Sequence, residues 1–492
     1  MATKHKLPPS AASLSASMRD LGYSLEAAVA DLIDNSISAG ATNIDIFVVT
    51  NIKDPTVVIC DDGSGMLEPE LFSAMRHGSG NPNAERSEKD LGRFGLGLKT
   101  ASFSQCRSLT VLSAVDGKRS AAQWDLDLID KEDDWVLSLL TDQEITALPY
   151  QEKVLSHGTA VIWHNLDRLF EDQVGNLRDE LINEKLTILN RHLSLVFHRF
   201  LSGDVKGFQR ISITLNGHVI EPFDPFCVGN PATQVLPEEF IRYKDSVVKL
   251  QPYILPHHSR LSAEEHRIYK DRNDFVSAQG AYVYRNGRLI AWGDWFRLVP
   301  KSESTKLARV KIDFTNTLDS EWTIDIKKSR ASPPRAIRER MRQIIDNISS
   351  RSIRVHRGRG ERLFSQHTTP VWERHAEREG IRYSINREHP IIKRVLSTLA
   401  TDSSDQLLLY LDALSASLPV EMIYSDFATE PRKFLRDKLE EEEVIHTLKR
   451  LADVLFESRP VDINELTKVA RSTYLFSDEI LSSEDILEKV LL

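Results

Sequence analysis

Three short polar segments, in a fixed order near the start of the chain, constrain its fold more than any other feature. The first is Asp31-Leu32-Ile33-Asp34-Asn35 and the second is Asp61-Asp62-Gly63-Ser64-Gly65. The third runs from Gly92 to Thr100 and is rich in glycine. Each pattern alone is common in proteins. Together they predict a polar helix face, a tight turn behind a strand and a glycine-rich helix start that converge on one pocket.

The first segment lies in a predicted amphipathic helix. Its apolar residues recur at i, i+3, i+4 and i+7, Ser24 can cap its start, and Gly40 can end it. At about 100° per residue, Asp31 and Asn35 share one face, whereas Glu26 lies on the opposite one. An amide oxygen suits Mg²⁺, and a carboxylate one turn away can orient or deprotonate water. The alternative is that both residues belong to a solvated helix face.

The second segment follows a short β-branched run, residues 56–60, that predicts a buried strand. A carboxylate at the strand end, here Asp61, can accept a hydrogen bond from the exocyclic amine of adenine, and Gly63 and Gly65 before Met66 permit close approach. A hairpin turn is the alternative, since Asp-Gly is common in hairpins. The residues that follow Met66 have a helical pattern, however, so no partner strand comes next.

The third segment differs from the nucleotide-binding P-loop. Leu98 separates the last glycine from Lys99, and no strand precedes the segment. A glycine-rich helix start has free N–H groups and a positive dipole end that can bind phosphates, and Lys99 would add a cation. The predicted phosphate-binding residues are Gly92, Arg93, Phe94, Gly95, Leu96, Gly97, Leu98 and Lys99.

In this order the segments resemble the N, G1 and G2 boxes of the GHKL ATPases. That superfamily contains gyrase B subunits, ninety-kilodalton heat-shock chaperones, histidine kinases and mismatch-repair MutL. The run His157 to Val161 resembles the later Gly-Thr strand of these proteins. The resemblance implies that ATP and Mg²⁺ are bound: Asn35 would be the Mg²⁺ ligand, Asp61 and Thr159 would contact adenine, and Gly92 to Lys99 would form a lid over the phosphates.

Within the superfamily, the closest resemblance is to prokaryotic MutL- and MORC-like ATPases. Asp34 to Ile46 is similar to the MutL-type N box, and Gly97 to Ser102 is similar to the MORC version. Both families have a glutamate at the position of Asp31. The resemblance therefore implies that Asp31 activates water. Because aspartate is one methylene shorter, either the water sits closer or hydrolysis is slow.

The whole chain predicts an α/β fold in three parts. Residues 1–200 would form an α+β sandwich of the Bergerat type, preceded by an N-terminal strap at residues 1–20 that relatives exchange between subunits. Residues 206–330 would form an S5-like α/β transducer domain, because Tyr282 to Ile290 resembles its strands. In relatives a transducer lysine reaches the γ-phosphate, and the candidates here are Lys327 and Lys328. The alternative for these two lysines is a solvated strand edge.

Residues 331–492 predict a basic connector followed by an acidic helical region. A helix should begin after Pro333-Pro334, and it carries Arg335, Arg338 and Arg342. Arginines in such a stripe suit contact with a nucleic-acid phosphate backbone. A solvated helix with a flexible connector is the alternative. The role of the residues beyond about 370 is not legible from the sequence.

Composition predicts a cytoplasmic protein. The three cysteines have no disulfide or zinc spacing, no apolar run is long enough to span a membrane, and no signal sequence is recognisable. We therefore predict an ATP-gated dimerising switch that acts with DNA or with a DNA-processing protein such as a nuclease or helicase. The MORC resemblance suggests a setting in restriction or phage defence. The alternatives are an ATP-binding signalling protein with little hydrolysis and a chaperone-like protein.

Overall fold

The computed structural model forms two compact units, residues 1–352 and 353–492. It describes all of the chain except residues 1–9, 21, 51–54, 77–89, 93–96, 170–175, 245, 257–259, 273–276, 303–304, 325–330, 349–368, 378–379, 424–440, 457–459, 474, 477, 482 and 492. The mixed α/β architecture with a largely helical C-terminal region confirms the predicted fold class. The division of the first unit at residues 200–206 stays a prediction.

The first unit is built around an eight-stranded sheet in the order β5-β4-β3-β6-β2-β1-β7-β8. Neighbouring strands are antiparallel except β1 and β7, which are parallel. The strands are β1 Asn43–Val49, β2 Thr56–Asp61, β3 Ser108–Val115, β4 Lys118–Asp125, β5 Leu137–Leu139, β6 Gly158–His164, β7 Ser212–Leu215 and β8 His218–Val219. The predicted run into Asp61 is therefore a central strand, β2.

One face of this sheet is covered by helices. They are α1 Ala11–Arg19, α2 Leu25–Ser38, α3 Glu68–Met75, α4 Gly97–Phe103, α5 Leu126–Glu132, α7 Asn176–Val196 and α8 His198–Ser202, whereas α6 Asp142–Ala147 packs on the opposite face, where Ile145 is buried with Val58 and Ile162. Ile44 and Ile46 on β1 alternate inward and are fully buried with Ile33 of α2 and Phe103 of α4. This apolar core fixes α2 and α4 beside the ends of the strands.

Asn216-Gly217 forms a hairpin turn, as its sequence predicts, but its strands β7 and β8 extend the first sheet. We expected this run to begin the second strand-rich region. β7 instead pairs in parallel with β1, from Asn43 opposite Ser212 to Ile46 opposite Leu215. A turn signal is local and does not indicate which sheet edge its strands will join.

A second sheet follows in the same unit, in the order β10-β11-β14-β12-β13, with β9 paired to β11. Its strands are β9 Gln234–Val235, β10 Glu239–Tyr243, β11 Ser246–Ile254, β12 Gly280–Arg285, β13 Arg288–Asp294 and β14 Ala308–Phe314. Helix α9 is Ala263–Arg272, the short pair β15 Thr323–Ile324 and β16 Ala331–Ser332 comes next, and helix α10 spans residues 335–348. The predicted Asn286-Gly287 hairpin joins β12 to β13.

The second unit, residues 353–492, is mainly helical and also contains one hairpin that the sequence did not predict. The hairpin is β17 Trp372–Glu377 with β18 Gly380–Ile385, and the helices are α11 Pro390–Thr398, α12 Thr401–Ala416, α13 residues 420–423, α14 Glu441–Phe456, α15 Ile463–Thr473, α16 Asp478–Leu481 and α17 Glu484–Leu491. Leu448 and Ala470 are fully buried in its core. Among the described residues of the whole chain, no helix is both long and apolar enough to cross a membrane.

Candidate functional site

Asp61 lies at the end of β2, where its carboxylate accepts two short hydrogen bonds. The Ser36 hydroxyl donates to Oδ2 at 2.7 Å and the Gly63 amide donates to Oδ1 at 2.9 Å. Burial raises the pKa of Asp61 above its usual value, although hydrogen bonds from Ser36, Gly63 and Thr159 oppose the shift. Ser36 belongs to α2, so the carboxylate at the strand end is tied directly to the helix that carries Asn35.

Thr159 faces Asp61 across the pairing of β2 with β6, as the sequence predicted only by resemblance. Its hydroxyl lies 2.9 Å from the hydroxyl of Ser113 on β3, and Ser113 also accepts from the amide of Met66 at 2.9 Å. Ser113 is fully buried and was missed in the sequence. A serine in a buried strand gives no local signal, because its partners come from two other segments.

Two glycines are required where the second segment packs on these strands. Gly65 has φ +70°, and a Cβ there would lie 1.9 Å from the Ala114 carbonyl oxygen. Gly158 has φ +117°, and a Cβ there would lie 2.1 Å from the Asp61 carbonyl oxygen. Any side chain at either position would push these two carbonyl groups away. Both glycines therefore allow two backbone segments to lie in close contact.

Asp62, beside Asp61, has a structural role. It accepts from the amides of Thr42 and Asn43 and from both of their side chains, at 2.7–2.9 Å. Burial raises the pKa of Asp62, but these four hydrogen bonds outweigh it and leave the pKa below the usual value. The two adjacent carboxylates are therefore distinguished by their surroundings, which the sequence alone does not reveal.

Asp31 and Asn35 lie one turn apart on α2, in different surroundings. Asp31 is 4% exposed and Asn35 is exposed. The Tyr23 hydroxyl donates to Asp31 Oδ2 at 3.1 Å, and a Cβ at Gly97, the first residue of α4, would lie 3.6 Å from the same oxygen. Asp31 is thus not on a solvated face. Tyr23 is a neighbour that the helix pattern could not have indicated, since it precedes the helix.

Lys99 has two backbone partners in this structure. It is 2% exposed, and its ammonium group donates to the carbonyls of Ala74 at 2.8 Å and Arg76 at 2.9 Å. Burial lowers its pKa to about 8. Lys99 therefore joins α4 to the end of α3, and it would have to leave these carbonyls to reach a phosphate. A phosphate role for Lys99 stays a prediction.

The remaining predicted nucleotide residues divide into two groups. Gly92, Gly97 and Leu98 are described, and the amide of Gly92 donates to Asp90 at 2.7 Å while Leu98 packs against the core. The others lie outside the described residues: Arg93, Phe94, Gly95, Leu96, Lys327 and Lys328. Their roles stay predictions.

The donor groups fit Mg²⁺ bound together with a nucleotide. Within the described part of the chain, no three His, Cys, Asp or Glu side chains form a metal-binding cluster. An exposed amide oxygen at Asn35 could supply one ligand, and phosphate oxygens and water would supply the others.

The first comparison concerns residues 23–159, which match a family model described as histidine kinase-, DNA gyrase B- and HSP90-like ATPase. This match covers α2, β1 and β2 with Asp61, and it ends at Thr159, the second residue of β6. Residues 23–159 form a GHKL ATPase domain.

A second comparison found a MORC protein. A stretch of 90 residues is 30% identical to ATPase morc-1 of Caenorhabditis elegans. It covers 18% of this chain and 10% of the relative, so the chain matches about a tenth of the length of that protein. Over this stretch the chain is therefore similar in sequence to a MORC ATPase.

Proposed function

We propose that the protein is an ATP-driven conformational switch that hydrolyses ATP in its GHKL domain. The observation that carries the proposal is the 2.7 Å hydrogen bond from Ser36 to Asp61. Ser36 follows Asn35, so this contact joins the helix that would bind Mg²⁺ to the aspartate that would contact adenine. A pocket in which one helix sets both the Mg²⁺ end and the adenine end of the site suits ATP better than a smaller ligand.

The residues of α2 would divide the chemistry between them. Asn35 would hold Mg²⁺, which when bound neutralises phosphate charge. Asp31 would accept a proton from the water that attacks the γ-phosphate, because a buried carboxylate held by Tyr23 keeps a fixed orientation. Asp61 and Thr159 would orient the adenine ring.

A steady-state ATPase assay with Asp31→Asn tests this assignment. The substitution keeps size and hydrogen bonding but removes the base, so we expect normal ATP binding and a loss of about 10²-fold or more in turnover. Glu26→Gln is the matched control, since it neutralises a carboxylate of the same helix on the opposite face, and it should keep wild-type turnover. Wild-type turnover in Asp31→Asn would mean that another group activates water.

The second candidate function is ATP binding with very slow hydrolysis, and the short side chain of Asp31 favours it. Asp31→Glu separates the two. If aspartate limits the rate, glutamate will raise turnover. If the pocket is fitted to aspartate, with Gly97 packed against its carboxylate, the longer side chain will crowd the water and lower turnover.

We further propose that the switch acts with DNA or a DNA-processing protein. The support is helix α10, whose exposed arginines Arg335, Arg338 and Arg342 lie opposite a buried apolar face. A role in restriction or phage defence rests on the family resemblance alone. Capture of the protein with a non-hydrolysable ATP analogue, followed by identification of bound nucleic acid and protein, tests this proposal. Capture of neither would reject it.

A further inference from the structure

The turn between β12 and β13 brings two arginines of the second sheet to the GHKL domain. Arg285 and Arg288 are opposite each other across Asn286-Gly287, and we call these four residues the hairpin tip. Gly287 has φ +84°, and a Cβ there would lie 2.6 Å from Val205, which belongs to the core of the first sheet. The tip is therefore packed tightly, and only glycine fits at its apex.

Arg288 forms a buried ion pair with α2. Its Nε lies 3.1 Å from the carboxylate of Asp34, and the two side chains are 5% and 1% exposed. Asp34 immediately precedes Asn35 and lies three residues after Asp31, so the pair fixes the helical turn that carries both. Burial lowers the pKa of His192 to about 3, and the charge of Arg288 adds to this shift, so His192 is neutral and leaves Arg288 as the cation for Asp34.

Arg285 holds a second part of the same pocket. Asp319 accepts from its Nε and Nη2 at 2.6 Å each, which orients the guanidinium group. The group then donates to three consecutive carbonyls, those of Asp90 at 3.3 Å, Leu91 at 3.0 Å and Gly92 at 3.4 Å. Gly92 is the first residue of the predicted phosphate-binding segment, so its backbone is set from the second sheet.

We propose that Arg285 and Arg288 are positioning residues for ATP hydrolysis, through which the second sheet holds the catalytic helix and the Gly92 backbone in place. Apolar side chains of similar volume would dock the two sheets at least as well, because a buried ion pair is costly to desolvate. Arg288 and Arg285 instead make directional charged contacts, with Asp34 and with the carbonyls of residues 90–92. These contacts therefore indicate that the orientation of the two segments has to be fixed. This inference rests on the proposed ATPase activity.

The test replaces the ion pair by apolar residues of similar size, Arg288→Met with Asp34→Leu, so that no buried charge is left unpaired. We expect a folded protein that binds ATP within about threefold of wild type, with KM little changed and kcat reduced at least tenfold. Arg288→Lys keeps the charge but loses the Nε–H group whose hydrogen bond Asp34 accepts, and it should give an intermediate kcat. Arg285→Met with Asp319→Leu should reduce kcat in the same way.

The matched control is Arg199→Met with Asp313→Leu, which removes an ion pair between α8 and β14. It should keep kcat within twofold of wild type. Wild-type kcat in the Arg288→Met, Asp34→Leu variant would overturn the inference, and so would an equal loss in the control, which would indicate general docking of the sheets.

A second readout separates this inference from the proposed function. If wild-type protein binds ATP without turnover, the proposed hydrolysis fails, and the inference is judged by the effect of Mg²⁺ on ATP affinity. We then expect Mg²⁺ to strengthen ATP binding in all three proteins, but by about two- to threefold less in the Arg288→Met, Asp34→Leu variant than in wild type and control. An equal Mg²⁺ effect in all three proteins would overturn the inference. Absence of ATP binding by wild type would overturn both.

Discussion

Asp61 and Asp62 are neighbours in the chain, but they have opposite effects on the stability of the folded protein. Burial raises the pKa of Asp61, so the protonated form is favoured by folding, and this contribution is lost as the pH rises through the raised value. The pKa of Asp62 is shifted in the opposite direction. Its four hydrogen bonds outweigh burial and lower its pKa, so the carboxylate stabilises the fold above the ordinary value of 3.8, and the effect is lost as the pH falls.

Thermal melting of two neutral variants tests this difference. At pH 7, Asp61→Asn should melt about 2 °C or more above wild type, because the costly buried charge is removed, and Asp62→Asn should melt below wild type by a similar amount. The Asp61→Asn difference should shrink as the pH falls toward the ordinary value of 3.8, whereas the Asp62→Asn difference should persist to that value and shrink only below it. A loss of stability in Asp61→Asn at pH 7 would show that its hydrogen bonds outweigh the cost of burial.

Nucleotide affinity is the second prediction for single residues. Asn35→Ala removes the proposed Mg²⁺ ligand and Asp61→Ala removes the proposed adenine acceptor. Either should weaken binding of Mg-ATP about tenfold or more, since a hydrogen bond to a charged group contributes roughly 1.5–3 kcal/mol. Titration of a fluorescent ATP analogue measures this, with Glu26→Gln as control. Unchanged affinity in Asp61→Ala would reject the adenine assignment.

At the scale of an element, α10 combines a buried face with a basic one. Ile337, Met341 and Ile345 are buried at helical spacing, whereas Arg338 and Arg342 are exposed. Arg335 pairs with Glu339 at 2.7 Å, which offsets part of its charge. Arg338 and Arg342 are therefore the stronger candidates for contact with phosphate.

Salt dependence of DNA binding tests this face. The affinity for duplex DNA should fall steeply with salt and show little sequence preference, and Arg335→Glu with Arg338→Glu and Arg342→Glu should flatten the dependence. The matched control makes the same charge change at three other exposed positions, Lys118→Glu, Lys131→Glu and Lys206→Glu. Equal binding by both triple variants and wild type would identify the α10 arginines as solvated surface.

At the scale of the whole molecule, the start of the chain is the candidate for exchange between subunits. Of residues 1–20, the structure describes α1, which contacts its own GHKL domain. Ser10 donates to Asp133 at 2.7 Å, and Arg19 pairs with Asp167 at 2.6 Å. Residues 1–9 lie outside the described part of the chain. If these residues act as the strap that the resemblance implies, α1 is the anchor from which they reach a second copy.

We therefore predict dimerisation that depends on ATP. Light scattering should give twice the monomer mass with a non-hydrolysable ATP analogue and the monomer mass with ADP or without nucleotide. Deletion of residues 1–9 should prevent the change without abolishing ATP binding. Asp61→Ala, which keeps these residues but should bind ATP weakly, is the control for the nucleotide requirement. An identical mass in all three nucleotide states would contradict the prediction.

The elements of the GHKL domain could be predicted because their signals are local. The period of α2, the β-branched run of β2 and the Asn-Gly turns each depend on residues within one turn or strand, and the three polar segments lie in the order that the family shares. The sequence did not predict the hydrogen bond from Ser36 to Asp61, which forms because α2 and β2 pack together. The sequence by itself thus determined the family of this domain and the local elements on which the predicted pocket residues lie.

Other features depended on contacts between segments far apart in the chain, and only the tertiary structure decided them. Lys99 pairs with carbonyls more than twenty residues away. Ser113 joins three segments, and β7 joins the first sheet instead of the second. Arg288 reaches Asp34 across 254 positions. Burial and long-range hydrogen bonds set the charge and orientation of these groups, and neither can be read from a residue type or its local spacing.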